Sequence, residues 1–331
     1  IIKEYKHKIS AQKAHTKYAQ SPSDPKVGVE LMTNDFPGNF GSIGDLPNNM
    51  LKLTASKELK VLGKLSLIEK AESFETQKLE EDLKLSKLIL RSELKQKYYE
   101  LFFLDKSFEI YNKILEVLKS IEGSVKSKYV VGQGTQYDLI RVQLETTKII
   151  ERIEIIKKDR DVIVTEINAL AIRPINQNIR SEFDDVTASG LELGSLDEVK
   201  ILEAAKNNYP KLLSQSAVID KVMAQAQLAK KEYIPDLNVK AFYGFRNNSD
   251  FGPLFGIGLE TSLPVFFNSK QRQQVLEARE TVTAQENKLE DIKINTLASA
   301  RKLFIQVQKS EVLTDILNTA LLPQSNLAVE S

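Results

Sequence analysis

The 331 residues predict a mixed, mainly α chain with β-hairpins of membrane-spanning length, built as two structural repeats, each helix, β-hairpin and long helix. Three observations carry this reading. Two segments alternate apolar and polar residues with period two on both sides of a polar turn. Long stretches free of Gly and Pro carry apolar residues at helical spacing. The order helix, hairpin, long helix occurs twice, and an internal repeat outranks any single motif.

The first helix is expected over residues 1–20, with Ile9, Ala11, Ala14 and Tyr18 spaced among lysines, and Ser21-Pro-Ser-Asp-Pro25 stops it. The first hairpin, residues 26–57, sets Val27, Val29 and Leu31 against Gly28, Glu30 and Met32. After a turn-rich stretch from Asn34 to Asn49, Leu51, Leu53 and Ala55 alternate with Lys52, Thr54 and Ser56. From Lys64 to Ile121 there is neither Gly nor Pro. Leu90, Leu94, Leu101, Leu104, Phe108, Tyr111, Leu115 and Leu118 form one stripe, and Phe103, Ile110, Ile114, Val117 and Ile121 form a second. Two stripes fit a helix that packs on both sides. About 60 residues of helix span about 90 Å, too long a rod to bury a core by itself.

Gly123 and Gly132-Gln-Gly-Thr135 are expected to interrupt helicity, with Thr135 and Asp138 as a capping box for the next helix. That helix carries Val142, Ile149, Ile153, Ile156, Ile163, Ile167 and Leu170 at heptad-like spacing up to Arg173-Pro174, so residues 58–172 read as an antiparallel helical hairpin. Residues 173–195 are acidic and Gly-containing and read as a linker. Ser195-Leu-Asp-Glu198 then starts a helical segment, 196–233, that pauses at Tyr209-Pro210. The second hairpin, residues 235–264, alternates Leu237, Val239, Ala241 and Tyr243 with Asn238, Lys240, Phe242 and Gly244. Beyond Arg246-Asn-Asn-Ser-Asp250 it sets Phe255, Ile257, Leu259, Thr261 and Leu263 against Gly256, Gly258, Glu260 and Ser262. A last helical run, 268–331, has Val275, Val282 and Leu289 at steps of seven. Each hairpin is approached through a proline beside an aspartate, Asp24-Pro25 and Pro235-Asp236, and each exiting strand is expected to feed directly into a rod.

Composition removes several function classes. Lys plus Arg (46) balance Asp plus Glu (45), so no net field recommends a nucleic-acid partner. No cysteine is present, which removes disulfides, thiolate metal sites and cysteine nucleophiles from this chain. Neither His7 nor His15 has a second ligand three or four residues further on, and Met32 and Met50 flank the first hairpin turn as packing residues, so no metal site and no cofactor is expected. No phosphate loop, nucleophile motif or paired catalytic set is present, and the chain is not expected to be an enzyme. No apolar run reaches the roughly 18 residues of a transmembrane helix, which leaves a β-barrel open.

A single hairpin of this kind, taken alone, reads first as part of a soluble half-buried sheet. Strands of roughly 9–11 residues also match the length a tilted barrel strand needs. Four strands cannot close a barrel, and open edges in lipid are not viable. Several chains must then share one barrel, with the rods packed around the same axis as a hollow conduit. On this reading Val27, Val29, Leu31, Leu51, Leu53, Leu237, Val239, Tyr243, Phe255, Ile257 and Leu259 face lipid, while Glu30, Lys52, Thr54, Asn238, Lys240 and Glu260 face the lumen. The alternative is a periplasmic adaptor or coiled-coil scaffold without a channel, which would carry the rods but leaves duplicated hairpins unused.

The sequence resembles the TolC-type outer-membrane efflux channels, the outer membrane factors. The resemblance rests on Ala229-Lys-Lys-Glu-Tyr-Ile-Pro-Asp-Leu-Asn-Val239, on the Gly256 to Phe266 strand ending Leu-Pro-Val-Phe, and on Tyr129-Val-Val-Gly-Gln-Gly-Thr-Gln-Tyr-Asp-Leu139 with Gln143. Asp24 to Val29, Met50 to Glu58 and Gly63-Lys64 are most similar to the CzcC/CusC heavy-metal branch. The resemblance implies a homotrimer with a 12-stranded β-barrel continuous with a 12-helix coiled-coil α-barrel, placed in the bacterial outer membrane with its helices in the periplasm. It implies passive export of metal ions or small toxic compounds, as the exit duct of a tripartite pump with a periplasmic adaptor and an inner-membrane pump as partners. Val131, Gly132, Gln133, Gly134, Thr135 and Asp138 match the tip turn that adaptors contact in that family. Against the family pattern the chain is expected to be truncated at both ends.

Overall fold

The computed structural model describes residues 1–32, 49–181, 197–246 and 252–330. It divides into two compact units, residues 1–85 with 196–331, and residues 86–195. The turn residues Asn34 to Gly44, Asn247 to Asp250, and the linker from residue 182 to Leu196 lie outside the described residues.

In the first unit, α1 (Ile2–Ala19) leads to β1 (Lys26–Met32), β2 (Met50–Leu59) leads to α2 (Lys64–Val130), α5 (Pro210–Lys231) to β3 (Leu237–Phe245), and β4 (Leu254–Thr261) to α6 (Gln271–Ile316). The four strands form one antiparallel sheet in the order β1-β2-β3-β4, so the two hairpins join through β2 and β3. The helices keep the same order. Gln12 of α1 donates to Glu72 of α2 at 2.6 Å, Ser214 of α5 donates to Asp82 of α2 at 2.6 Å, and Gln215 of α5 donates to Gln285 of α6 at 3.0 Å. A short α4 (Glu198–Asn208), N-capped by Asp197, packs on α6, and Pro210 restarts the helix as α5. Ile9, Ala71, Leu212, Ala217, Ile219 and Ala224 are the buried apolar residues of this helical row, and half of them are alanine, which suits a wall one helix thick.

The second unit is the helical hairpin of α2 and α3 (Gln136–Leu170). Leu101 of α2 packs with Ile163, Val164 and Ile167 of α3, and Leu104 and Ile179 flank them. Ile153 and Ile156 on the same stripe are also buried, whereas Phe103, Ile110, Ile114, Val117 and Ile121 of the second stripe are exposed. Arg160 ties the pair together, donating to Asp105 at 2.7 Å and to the Ile179 carbonyl at 2.7 Å.

Three local expectations are corrected. Gly123 does not interrupt α2, which continues to Val130; one glycine costs a helix about 1 kcal/mol, and 67 residues of continuous helix absorb it. The linker is docked at its start: Asn168 donates to the carbonyls of Ile175 and Gln177, and Ser181 donates to Asp105 at 2.7 Å. β4 ends at Thr261, before Leu263, and the chain turns through residues 265–270 before α6, so only the first hairpin feeds almost directly into its rod. The last helical run continues through Leu322-Pro323, in keeping with its expected extent. A π-helical turn, Leu317–Leu321, carries α6 into α7 (Leu322–Glu330), and Pro323 follows directly on that shift of hydrogen-bonding register.

Candidate functional site

Two regions carry the features singled out in the sequence: the sheet of the first unit and the turn at the end of the second.

The register fixes both faces of the sheet. One face aligns Val27 with Ala55, Val29 with Leu53 and Leu31 with Leu51. It continues across the junction, with Leu53 opposite Tyr243 and Leu59 opposite Leu237, to Val239 opposite Leu259, Ala241 opposite Ile257 and Tyr243 opposite Phe255. All eleven positions expected to be apolar lie on it. The face is open: Val27 is 77%, Ile257 70% and Leu259 73% exposed. Tyr243 and Phe245 stack edge-on at its turn end, their ring centroids 4.7 Å apart. A β-strand of nine residues rises about 30 Å, enough to carry an apolar band of about 25 Å when tilted. Lys57 is the one charged residue on this face, near its helix end, where its stem can lie along apolar surface while the ammonium reaches water.

The opposite face holds Glu30, Lys52, Thr54, Asn238, Lys240 and Glu260 together. Lys52 and Glu30 pair at 3.0 Å, Lys240 pairs with Glu260, and Thr54 donates to the Gly28 carbonyl at 3.3 Å. Phe242 lies flat on this polar face. The Lys52 ammonium stands 4.8 Å from its ring centre, and a Cβ at Gly256 would fall 2.3 Å from the ring, so glycine there makes room for it. Sequence alternation placed Phe242 on this side but gave no sign of the stacking.

Where sheet meets helices, Lys64 is buried in the first turn of α2. Its ammonium donates to the Ile234 carbonyl at 2.8 Å and pairs with Asp236 at 3.0 Å and Glu232 at 3.5 Å. Asp236 also accepts from the Val61 N–H, and Lys231 donates to the Leu62 carbonyl. Leu62 and Gly63, both left-handed with φ of 56° and 70°, turn the chain from β2 into α2 within this network. The exit from the first hairpin is thereby bolted to the approach to the second. Lys64 stood in the quoted motif, but only the fold brings its partners together.

In the second unit, α2 ends in a Schellman motif. Gln133 N–H donates to the Lys128 carbonyl at 2.8 Å and Gly132 N–H to the Tyr129 carbonyl at 3.0 Å, with Gly132 at φ +76°. Thr135 and Asp138 then form the expected capping box for α3. The turn presents Val131 with two residues of the quoted motif that were not among the expected contact residues, Val130 and Tyr137, which are 75% and 70% exposed. Helix periodicity gives no signal for such residues, because they lie where periodicity stops.

Among the described residues no cluster of three or more His, Cys, Asp or Glu could hold a metal ion, and no helix is long and apolar enough to cross a membrane. Residues 201–321, from α4 to the π-turn, match the family model described as outer membrane efflux protein. That segment, a little over a third of the chain, is similar to the outer membrane efflux protein domain. The chain's fold extends the likeness beyond that segment. It superposes on the outer-membrane channel OprN with a TM-score of 0.79 at 14% identity, covering 98% of this chain and 75% of that one. VceC from Vibrio cholerae gives 0.70 at 14% identity over 99% and 82% of the two chains, and CusC gives 0.67 at 14% over 99% and 76%. The mainly helical architecture is therefore that of the outer-membrane efflux channels. CusC matches no better than the others, so the fold does not single out a heavy-metal branch. No curated protein matches the sequence.

Proposed function

We propose that this chain is one third of a passive exit duct in the bacterial outer membrane, the last component of a tripartite efflux pump. The observation that carries the reading is the four-stranded sheet, with one continuous exposed apolar face and with β1 and β4 each paired on a single side. Such a sheet in lipid needs its edges closed, and β4 of one copy against β1 of the next closes them in three copies as twelve strands. The apolar residues from Val27 to Leu259 then meet lipid, and Glu30, Lys52, Thr54, Asn238, Lys240 and Glu260 line water. The helices continue the wall into the periplasm. The tip turn, Val131 to Thr135 with Asp138, offers Val130, Val131 and Tyr137 to a periplasmic adaptor, and the inner-membrane pump supplies the energy. Metal ions or small toxic compounds are the cargo class, and a passive lumen requires no cofactor and no catalytic group.

Extraction from outer membranes tests the reading. A trimer that resists heating in detergent is expected, and a soluble monomer would overturn it. Sensitivity of a deletion strain to metals and to hydrophobic drugs assigns the cargo.

A further inference from the structure

The polar face of the sheet is not a random scatter of charges. Its register stacks them in rows across the strands. Nearest the helices, Glu58 lies opposite Asn238, which lies opposite Glu260. One pleat further along, Lys26 lies opposite Ser56, and Ser56 opposite Lys240. Two pleats beyond that, Glu30 lies directly opposite Lys52. On the described strands this face thus holds three lysines and three glutamates in an acidic row, a basic row and a self-paired row. Two of the three pairs are in contact: Lys240 with Glu260, and Lys52 with Glu30 at 3.0 Å. Lys26 and Glu58, diagonal neighbours across β1 and β2, line the same polar recess of about 340 Å³. Asp236 at that recess is neutralised by the buried Lys64, and Asp24 adds a single acidic group at the rim, outside the strands.

Resting on the duct reading above, we infer that the barrel wall is built from stacked rings of opposite charge and does not sort cargo by charge. Three-fold closure turns the Glu58/Glu260 row into an acidic ring and the Lys26/Lys240 row into a basic ring two residues away, about 7 Å along the strands. That spacing is shorter than the screening length of about 8 Å at physiological salt, so a solute near the axis meets cancelling potentials rather than a filter. The wall therefore suits cargo that is neutral, zwitterionic or of either sign, and leaves charge selection to the pump or to other parts of the duct. The flat Phe242 ring, held between Gly256 and Lys52 in the same wall, adds an apolar surface of the kind such cargo uses.

Reversal potentials across planar bilayers in a KCl gradient test the inference with the full chain. Removing the acidic row (Glu58→Gln with Glu260→Gln) is expected to lower the K⁺/Cl⁻ permeability ratio about threefold. Removing the basic row (Lys26→Gln with Lys240→Gln) is expected to raise it by about the same factor. The quadruple variant is expected to return to the native ratio. So is the inverted wall, Lys26→Glu and Lys240→Glu with Glu58→Lys and Glu260→Lys, which keeps every pair and serves if a single-row variant fails to assemble. Conducting trimers whose quadruple or inverted variant departs from the native ratio, or whose single-row variants leave it unchanged, overturn the cancelling wall alone. Inserted trimers that never conduct overturn the duct reading and this inference with it.

Discussion

Lys64 shows how much a single side chain can organise. A cation in the first turn of a helix opposes the helix dipole, and so does the Glu232 carboxylate at the C-cap of α5; pairing the two, with Asp236 between them, offsets both penalties. Lys64→Met leaves Asp236 without its ammonium in a partly buried site. It is expected to destabilise the protein by about 3 kcal/mol, read as a lower unfolding midpoint, with Lys64→Arg losing less. Gly256→Val drives a branched side chain into the Phe242 ring and is expected to cost about 2 kcal/mol, largely recovered when Phe242→Ala is added. At Glu75, burial works to raise the carboxyl, but the hydrogen bond and charge of Lys221 at 3.0 Å, with Lys78 nearby, hold it below the ordinary range. A depressed carboxylate stabilises fully above its ordinary pKa and loses that contribution as pH falls through the lowered value. The α2–α5 contact should therefore weaken only below about pH 4, and Lys221→Met should flatten that acid limb of stability against pH.

At the scale of elements, the turn between α2 and α3 combines a left-handed glycine with a reciprocal cap. Gly132→Leu puts a side chain where φ is +76° and is expected to cost about 1–2 kcal/mol locally. It should weaken binding to the adaptor in pull-down while leaving the trimer intact; loss of the trimer instead would make the turn purely structural. The helices and strands were legible in the sequence because periodicity survives along them: Ile153, Ile156, Ile163 and Ile167 are buried as their spacing implies, and Val27 to Leu259 share one face. What escaped was decided by contacts that no local pattern records. The run through Gly123 depends on the whole 67-residue helix, the docking of the linker start depends on Asn168 and Asp105, and the order of the two hairpins within one sheet depends on β2 meeting β3. A nitroxide at Lys240 is expected to be accessible to water-soluble relaxants, and one at Val239 to oxygen in the bilayer; the reverse pattern would shift the register by one residue.

For the whole molecule, the sheet is the part that cannot stand alone. It has an apolar face with nothing over it and two edges with half their hydrogen-bonding groups unused, while its helices continue the same order as its strands. On the proposed duct reading, copies of the same chain close both edges and lipid covers the face. Because the sequence contains no cysteine, one cysteine on β1 and one on β4 form the only possible disulfides. Within one chain these strands are three spacings apart, roughly 14 Å, too far to bridge. Oxidising a set of such double-cysteine chains in outer membranes, with the second position scanned along β4, measures the closure directly. The account predicts a ladder of monomer, dimer and trimer that stops at three for the register that pairs; monomers at every register, or a ladder that runs past three, would contradict it.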